Sequence, residues 1–191
     1  MKYIRKGPID YAPVAQWIGH QPPELVVQVR LLSGAIINMR KKVVSVIGGH
    51  DCTKEVEQLA HDLGKKLAKV VDILACGGLS GTMKAVCQGF KSEGGLTIGI
   101  LPSYNKSDAN SFADIAIPTG MGLARNVLVV KCADVVVALP GQMGTLSEIA
   151  YCLQFGIPVI SLTSWDIKGV IKAETIEEAV KKINELFKKG K

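Results

Sequence analysis

From residue 42 onward, short apolar runs alternate with stretches that are apolar on one side only. The apolar runs cover residues 43–47, 72–76, 96–100, 114–117, 134–139 and 158–161. Because such runs are short and several end at Gly or Pro, they predict strands, and the first run, 43–47, is typical of a buried parallel strand. Apolar residues spaced three or four apart, as in Val56, Leu59, Ala60, Leu63 and Leu67, predict a helix after the first strand. Further helices are predicted over 82–92, over 122–131, from the fifth strand to about 155, and from 176 to the end.

Strands that alternate with helices are typical of a doubly wound parallel sheet with helices on both faces. The sequence therefore predicts an α/β, Rossmann-like, three-layer α/β/α fold in a single domain over residues 42–191. The polar loop 103–111 is long enough to act as a lid over a site.

Residues 1–41 differ from the rest, since they contain four prolines and no sustained period. The stretch 14–27 resembles the conceptual translation of a transfer-RNA gene. One hypothesis is that the native protein starts at Met39 and that residues 1–38 are an artefact of gene calling. The alternative is a genuine N-terminal extension that packs on a neighbour.

Composition excludes several classes of protein. Hydrophobic residues make up 48% and charged residues 21% of the 191 residues, which is typical of a globular chain. Much of the net charge of +6 lies in residues 1–41, and aromatic residues are only 5%, so nucleic acid is not the expected partner. No apolar run is long enough for a membrane helix. Five cysteines without close spacing indicate neither a disulfide scaffold nor a metal site, and favour a cytoplasmic protein.

Three glycine-rich turns follow predicted strands and precede predicted helices. They contain, in order, Gly48 and Gly49; Gly77, Gly78 and Gly81; and Pro140, Gly141, Gln142, Gly144 and Thr145. In a parallel sheet such turns share one edge, and helix N-termini there attract anions. The pattern predicts a site for a phosphorylated small molecule. Neither G-x-G-x-x-G nor the P-loop pattern is present, which disfavours a conventional dinucleotide enzyme or P-loop NTPase.

The segment Pro140-Gly-Gln-Met-Gly-Thr-Leu-Ser-Glu148 resembles the P-G-G-x-G-T-x-x-E motif of the LOG ("Lonely Guy") family, long labelled "possible lysine decarboxylase". Gly77-Gly-Leu-Ser-Gly-Thr-Met83 is similar to the second glycine turn of that family. The segment Ala124-Arg-Asn126 places the sequence nearer to a branch described as molybdenum-cofactor carriers. Characterised LOG members split a nucleoside 5′-monophosphate into free base and ribose 5-phosphate.

The resemblance implies that Arg125 and Glu148 are the catalytic pair and that Gly141, Gly144 and Thr145 hold the phosphate. It extends the expected nucleotide site to Thr82 and Met83 in the second turn, and to Asn126. Two positions depart from the LOG pattern: Gln142 replaces a glycine, and Asn126 stands where plant-type members have lysine. The resemblance also implies a homo-oligomer, a dimer or tetramer.

Two functions remain open on the sequence. The first is a phosphoribohydrolase without a metal or required cofactor, in which a carboxylate stabilises an oxocarbenium-like sugar. Arg125 is the only arginine in residues 42–191. This suggests that the position needs a planar guanidinium, which can form two hydrogen bonds to one partner. The second is a carrier that binds a nucleotide or a molybdopterin-type ligand without turnover. Thr145–Glu148 also fits a helix capping box, which would give Glu148 a structural role. No lysine for a pyridoxal Schiff base is identified.

Overall fold

Seven parallel strands form one sheet within residues 41–189, the part of the chain that this computed structural model describes. Along the sheet the order is β4-β3-β2-β1-β5-β6-β7. The strands are β1 Val43–Ile47, β2 Ile73–Cys76, β3 Leu96–Leu101, β4 Ile115–Pro118, β5 Val135–Ala138, β6 Val159–Leu162 and β7 Ile171–Ala173. The predicted N-terminal extension, residues 1–41, and the hypothesised start at Met39 lie almost wholly outside the described residues.

Helices cover both faces of this sheet. They are α1 Lys54–Leu67, α2 Thr82–Ser92, α3 Asn126–Lys131, α4 Met143–Phe155 and α5 Ile176–Lys189. Apolar side chains of α1, α2 and α5 share one core cluster, and those of α3 and α4 share the other. The predicted three-layer α/β/α architecture is confirmed. Within the described range, no helix combines the length and apolarity that crossing a bilayer requires.

Two predicted elements differ from the structure. The segment predicted as one helix over 122–131 is a 3-10 turn, Gly122–Arg125, followed by α3. Strand β7 was not predicted, because it has only three residues and the central one, Lys172, is exposed. An edge strand this short gives too little alternation for a sequence pattern to reveal it.

The strand order reverses between β1 and β5, which lie side by side. The chain continues from β1 to β2 on one side, whereas β5 continues to β6 on the other. At such a switch point the loops after the two strands diverge, and a crevice forms beyond the carboxyl ends of the strands. The first and third glycine turns follow β1 and β5 and therefore meet at this crevice.

Helices α1 and α2 pack backbone against backbone on one face of the sheet. Gly64 of α1 lies where an added Cβ would overlap the carbonyl oxygen of Val86 in α2. Gly89 of α2 lies in the same way against the carbonyl oxygen of His61 in α1. This close approach buries Leu63 and Phe90 completely. The position of α2 matters for the site because its N-terminus follows the second glycine turn.

Replacing Gly89 with alanine is expected to destabilise the protein by about 2 to 3 kcal/mol, because α1 and α2 must separate to admit the methyl group. The matched control is Gly144→Ala in α4, where an added Cβ would lie 4.0 Å from Nδ2 of Asn126. Urea unfolding followed by circular dichroism measures both variants. Equal stability of Gly89→Ala and Gly144→Ala would contradict the packing argument.

All five cysteines are free thiols. The sequence predicts that Cys76, Cys87, Cys132 and Cys152 are buried, and three of them are. Cys132 is exposed, so the prediction is wrong there: it follows the last residue of the short helix α3, where the chain turns at the surface.

Candidate functional site

The three glycine turns are joined by hydrogen bonds. The backbone N–H of Gly49 donates to the carbonyl oxygen of Pro140 at 3.0 Å, which links the turns after β1 and β5. The carbonyl oxygen of Gly49 accepts from both the backbone N–H and the hydroxyl of Thr82, at 3.1 and 2.9 Å. The first residue of α2 is therefore fixed to the turn after β1. The turns were predicted to share one edge of the sheet, and in the structure they are in direct contact there.

Gly141 allows this close approach. A Cβ at that position would overlap the Thr145 hydroxyl and would lie 2.8 Å from the backbone nitrogen of Gly49. The indole N–H of Trp165 donates to the Gly141 carbonyl oxygen at 3.0 Å and supports the turn from behind. A glycine is thus required here by packing, whether or not a phosphate binds.

A cavity of about 360 Å³ opens among these turns. This volume lies within the range of small-molecule sites. The predicted site residues that line it are Gly48, Gly49, Gly77, Met83, Arg125, Asn126, Gln142, Gly144, Thr145 and Glu148. Lining residues outside that prediction are Val46, Ile47, His50, Asp51, Leu79, Pro102 and Leu123. The polar loop 103–111 contributes none of the lining residues, although Pro102 precedes it directly.

The remaining predicted site residues stand behind the cavity wall. Thr82 and Pro140 make the hydrogen bonds that join the turns. Gly78 and Gly81 both have positive φ, and an added Cβ at Gly81 would overlap the carbonyl oxygen of His50. With Gly141, these residues shape the turns but are not part of the lining surface.

Arg125 lies at the floor of the cavity with its side chain 8% exposed. Its Nη2 donates to the carbonyl oxygen of Gly77 at 3.2 Å, and its Nη1 donates to Oδ1 of Asn126. A side chain at Gly77 would lie 2.5 Å from Nη2, so the glycine makes room for the guanidinium. The buried Nε has no hydrogen-bond partner. One donor of the guanidinium is therefore left unsatisfied within the described part of the chain.

Glu148 lies one and a half turns inside α4, about 7 to 8 Å along the helix axis from its first residue. Its side chain is also 8% exposed and lines the cavity. The helix begins at Met143 with Gln142 as N-cap residue, so Thr145 and Glu148 are both inside the helix. The capping-box interpretation is therefore wrong, because neither residue is at the position that a capping box needs.

Burial controls the charges of this pair. Burial raises the pKa of the Glu148 carboxyl to about 7, although Arg125 opposes the shift. Burial likewise lowers the pKa of the Arg125 guanidinium, and Glu148 opposes that shift. The Nη1 of Arg125 and the Oε1 of Glu148 are 3.9 Å apart, too far for a hydrogen bond. Near neutral pH the site therefore holds a fixed positive charge beside a carboxyl that both takes up and releases a proton.

A profile of the SLOG cluster4 family matches residues 41–189. The chain belongs to the SLOG cluster4 family. The family match covers the whole sheet, all five helices and every residue of the cavity. Together with the relatives described next, it confirms the resemblance to LOG-type and molybdenum-cofactor-carrier-like proteins that the glycine motifs and Ala124-Arg-Asn126 indicate.

Three relatives show which kinds of protein this SLOG chain resembles. A protein of Archaeoglobus fulgidus, described only as uncharacterised, is 43% identical over 74% of this chain and 94% of its own. A rice protein named "Probable cytokinin riboside 5′-monophosphate phosphoribohydrolase LOGL9" is 30% identical over 62% of this chain and 54% of its own. The structure of the molybdenum cofactor binding protein from Rippkaea orientalis is 37% identical, with a TM-score of 0.74, over 78% of this chain and 99% of that one.

Sequence reasoning missed several lining residues of this SLOG fold. Pro102 and Leu123 carry no motif, but both follow strands toward the same edge, and that position was the available signal. Cys52 is not part of the lining, whereas its neighbours His50 and Asp51 are.

No group of three or more His, Cys, Asp or Glu side chains that could hold a metal ion occurs within residues 41–189.

The raised pKa of Glu148 predicts that ionising this carboxyl costs folding free energy. The folded-state pKa of about 7 exceeds the ordinary value of 4.5, so its contribution is fully present below pH 4.5 and is lost as pH rises to 7. Relative to Glu148→Gln, the parent protein is expected to lose about 3 kcal/mol of unfolding free energy between these limits. Denaturant unfolding at pH 4.5 and 8 measures the difference, and Glu185→Gln, an exposed substitution, is the control. A difference that does not change with pH would contradict the expectation.

Proposed function

We propose that this protein binds a nucleoside 5′-monophosphate in the cavity and hydrolyses its N-glycosidic bond. The observation that carries the proposal is the pairing of a buried arginine and a buried glutamate, Arg125 and Glu148, beside the N-terminus of α4. A structural ion pair would be expected to join the two groups by hydrogen bonds, whereas here their nearest atoms are 3.9 Å apart. Both groups instead face a space of the size of a small ligand.

The phosphate is proposed to bind at the N-terminus of α4. The first backbone N–H groups of a helix have no partner within the helix, and the helix dipole favours negative charge there. The N-cap residue Gln142 makes no side-chain cap hydrogen bond, so its side chain does not compete for those groups. Gly144 and Thr145 of this first turn line the cavity.

Gln142 does not prevent such binding through its backbone. Gln142 has φ −97° and ψ −151°, an extended conformation that any residue adopts. The backbone at this position is therefore not strained by a side chain and does not need the glycine of the LOG motif. The side chain is exposed at the cavity. The substitution therefore changes the surface that meets the ligand and leaves the turn intact.

The reaction adds water across the bond between C1′ of the ribose and the base nitrogen. The water oxygen bonds to C1′, that carbon's bond to nitrogen breaks, and a proton reaches the base nitrogen. The ionised Glu148 would stabilise the positive charge that develops on the sugar and take the proton of the attacking water. Arg125, which lines the cavity, would pair with oxygen atoms of the ligand through N–H groups of its guanidinium.

A second candidate is a carrier that binds a molybdopterin-type ligand and catalyses no reaction. It is favoured by the higher identity and nearly complete coverage of the Rippkaea orientalis molybdenum cofactor binding protein, compared with the rice phosphoribohydrolase. It is also favoured by Asn126, which stands where plant-type LOG members have lysine. Such a ligand also carries a phosphate, so the same helix terminus would hold it.

One experiment separates the two functions. The full-length protein is incubated with a panel of nucleoside 5′-monophosphates, and free base is quantified by chromatography. Release of base supports the hydrolase. Absence of release from every member, together with binding of a pterin phosphate by calorimetry, would reject the hydrolase in favour of the carrier.

We also propose that the protein forms a homo-oligomer. Tyr151 and Phe155 of α4 stack with ring centroids 5.9 Å apart, yet both are more than a third exposed. Met143 is 67% exposed on the same helix. Exposed apolar groups along one helix are typical of a covered interface. Light scattering that finds a monomer at micromolar concentration would reject this proposal.

A further inference from the structure

Both polar groups of the Asn126 side chain form hydrogen bonds within the protein. Its Oδ1 accepts a hydrogen bond from Nη1 of Arg125. Its Nδ2 donates to the hydroxyl of Ser147 at 3.2 Å and to the carbonyl oxygen of Gly144 at 3.5 Å. The residue is 4% exposed. These contacts account for both ends of the amide, although the resemblance suggests that Asn126 binds the ligand directly.

These contacts connect the arginine to the first turns of α4. Ser147 itself donates to the Gly144 carbonyl oxygen at 2.6 Å, so the Nδ2 partners form one small network within the helix. Asn126 therefore has one end on the arginine and the other on the helix that carries Glu148. Its amide is placed by α4 and not by solvent.

The atom that Asn126 holds is the one nearest to Glu148. Nη1 is bonded to Asn126 and lies 3.9 Å from Oε1 of Glu148. A charge-assisted contact between these groups would be about 2.7 to 2.9 Å long. Nη2 is held on the other side by the Gly77 carbonyl oxygen. The guanidinium is thus fixed by two neutral acceptors and kept about 1 Å short of a direct bond to the carboxyl.

We propose that Asn126 is a positioning residue that holds the Arg125 guanidinium off the Glu148 carboxyl, so that both groups remain available to the ligand. The inference deepens the proposed function and rests on it for its consequence in binding, but it concerns the protein without ligand. If Asn126 released Nη1, the guanidinium would close on the carboxylate and the two groups would neutralise each other.

The other ionisable groups near Glu148 do not replace this effect. The thiol of Cys76 faces the pair from β2, and that of Cys152 lies on α4 itself. His50 and Asp51 line the same cavity from the turn after β1. None of them is altered by a substitution at Asn126, so a change at Glu148 would report the movement of Arg125.

The test is a titration of Glu148 in the ligand-free full-length protein by carbon NMR of the glutamate carboxyls. The resonance is identified by its absence from Glu148→Gln. In Asn126→Ala, the pKa of Glu148 is expected to fall by about one unit or more, because Arg125 then approaches it. In Asn126→Asp, the acceptor is kept and a negative charge is added, so the pKa is expected to rise.

A fall of the Glu148 pKa in Asn126→Ala that disappears when Arg125 is also replaced by methionine is the result that supports positioning, since a general loosening around Glu148 would lower its pKa whether or not the arginine is present. Ser147→Ala, which removes one Nδ2 partner and leaves the Arg125 contact, is the matched control and is expected to shift the pKa little. An unchanged pKa in Asn126→Ala, or a fall of the same size when Arg125 is also replaced, would overturn the inference. Circular dichroism checks that each variant is folded. The readout needs no turnover, so failure of the proposed hydrolase would not decide it.

Discussion

Replacing Glu148 with glutamine is expected to slow base release from a nucleoside 5′-monophosphate by about 10²- to 10⁴-fold. Glutamine keeps the shape of the side chain and its capacity to accept a hydrogen bond. It carries no negative charge, so it neither stabilises an oxocarbenium-like sugar nor takes a proton from water. The measurement is the single-turnover rate of base formation at saturating substrate, followed by chromatography.

The affinity for substrate distinguishes this role from a structural one. The phosphate binds at the N-terminus of α4 in the proposal, so Glu148→Gln should bind ribose 5-phosphate nearly as tightly as the parent. Glu185→Gln on α5 removes an exposed carboxylate and should leave the rate unchanged. A Glu148→Gln variant that retains the full rate would exclude this residue from the chemistry, whatever the reaction is.

Replacing Arg125 with methionine is expected to weaken binding of a phosphorylated ligand by roughly 10²-fold or more. The substitution removes the buried positive charge and the N–H donors of the guanidinium while it keeps much of the side-chain volume. Arg125→Lys should give a smaller loss, since an ammonium keeps the charge but lacks the planar fork that bonds Gly77 and Asn126 together. Isothermal calorimetry with ribose 5-phosphate measures each affinity.

Lys84→Met is the matched control for the loss of one positive charge, because Lys84 is exposed on α2 and is not part of the cavity lining. It should change the affinity little, and less at higher salt. The Arg125→Met variant should also raise the pKa of Glu148, since the arginine opposes the effect of burial there. Equal affinities of the Arg125→Met and Lys84→Met variants would contradict a ligand role for the arginine.

Both candidate functions require the positive charge of Arg125, but only the hydrolase requires the carboxylate of Glu148. A carrier needs the positive charge and the helix terminus to hold a phosphate, but it needs no carboxylate beside the sugar. Loss of binding in Arg125→Met with unchanged binding in Glu148→Gln therefore suits either function. Only the rate of base release divides them.

The order of strands and helices along the chain could be predicted from the sequence because nearly every parallel strand is a short apolar run between turn residues, including the edge strand β4, whose isoleucines are partly exposed. Six of seven strands were found in this way, and α2 begins and ends at the predicted residues, Thr82 and Ser92. β7 was missed, since its three residues give no periodicity. The glycine turns also located the edge of the sheet at which the cavity lies.

The sequence by itself determined the fold class and the edge that carries the cavity, because these depend on local pattern and on the rule that parallel strands end at the same edge. The two charged residues of the cavity, Arg125 and Glu148, were indicated by the resemblance of the glycine motifs to the LOG family. The tertiary structure decided the burial of those two residues, the distance between them and their hydrogen bonds. Burial, which depends on packing from distant segments, raises the pKa of Glu148. The 3.9 Å separation of Glu148 from Arg125, the hydrogen bond of that arginine to Gly77 and the hydrogen bond of Asn126 to Ser147 depend on three segments that meet only in the folded chain. No spacing along the chain specifies such distances, because they are set by how β2, α3 and α4 pack around one another.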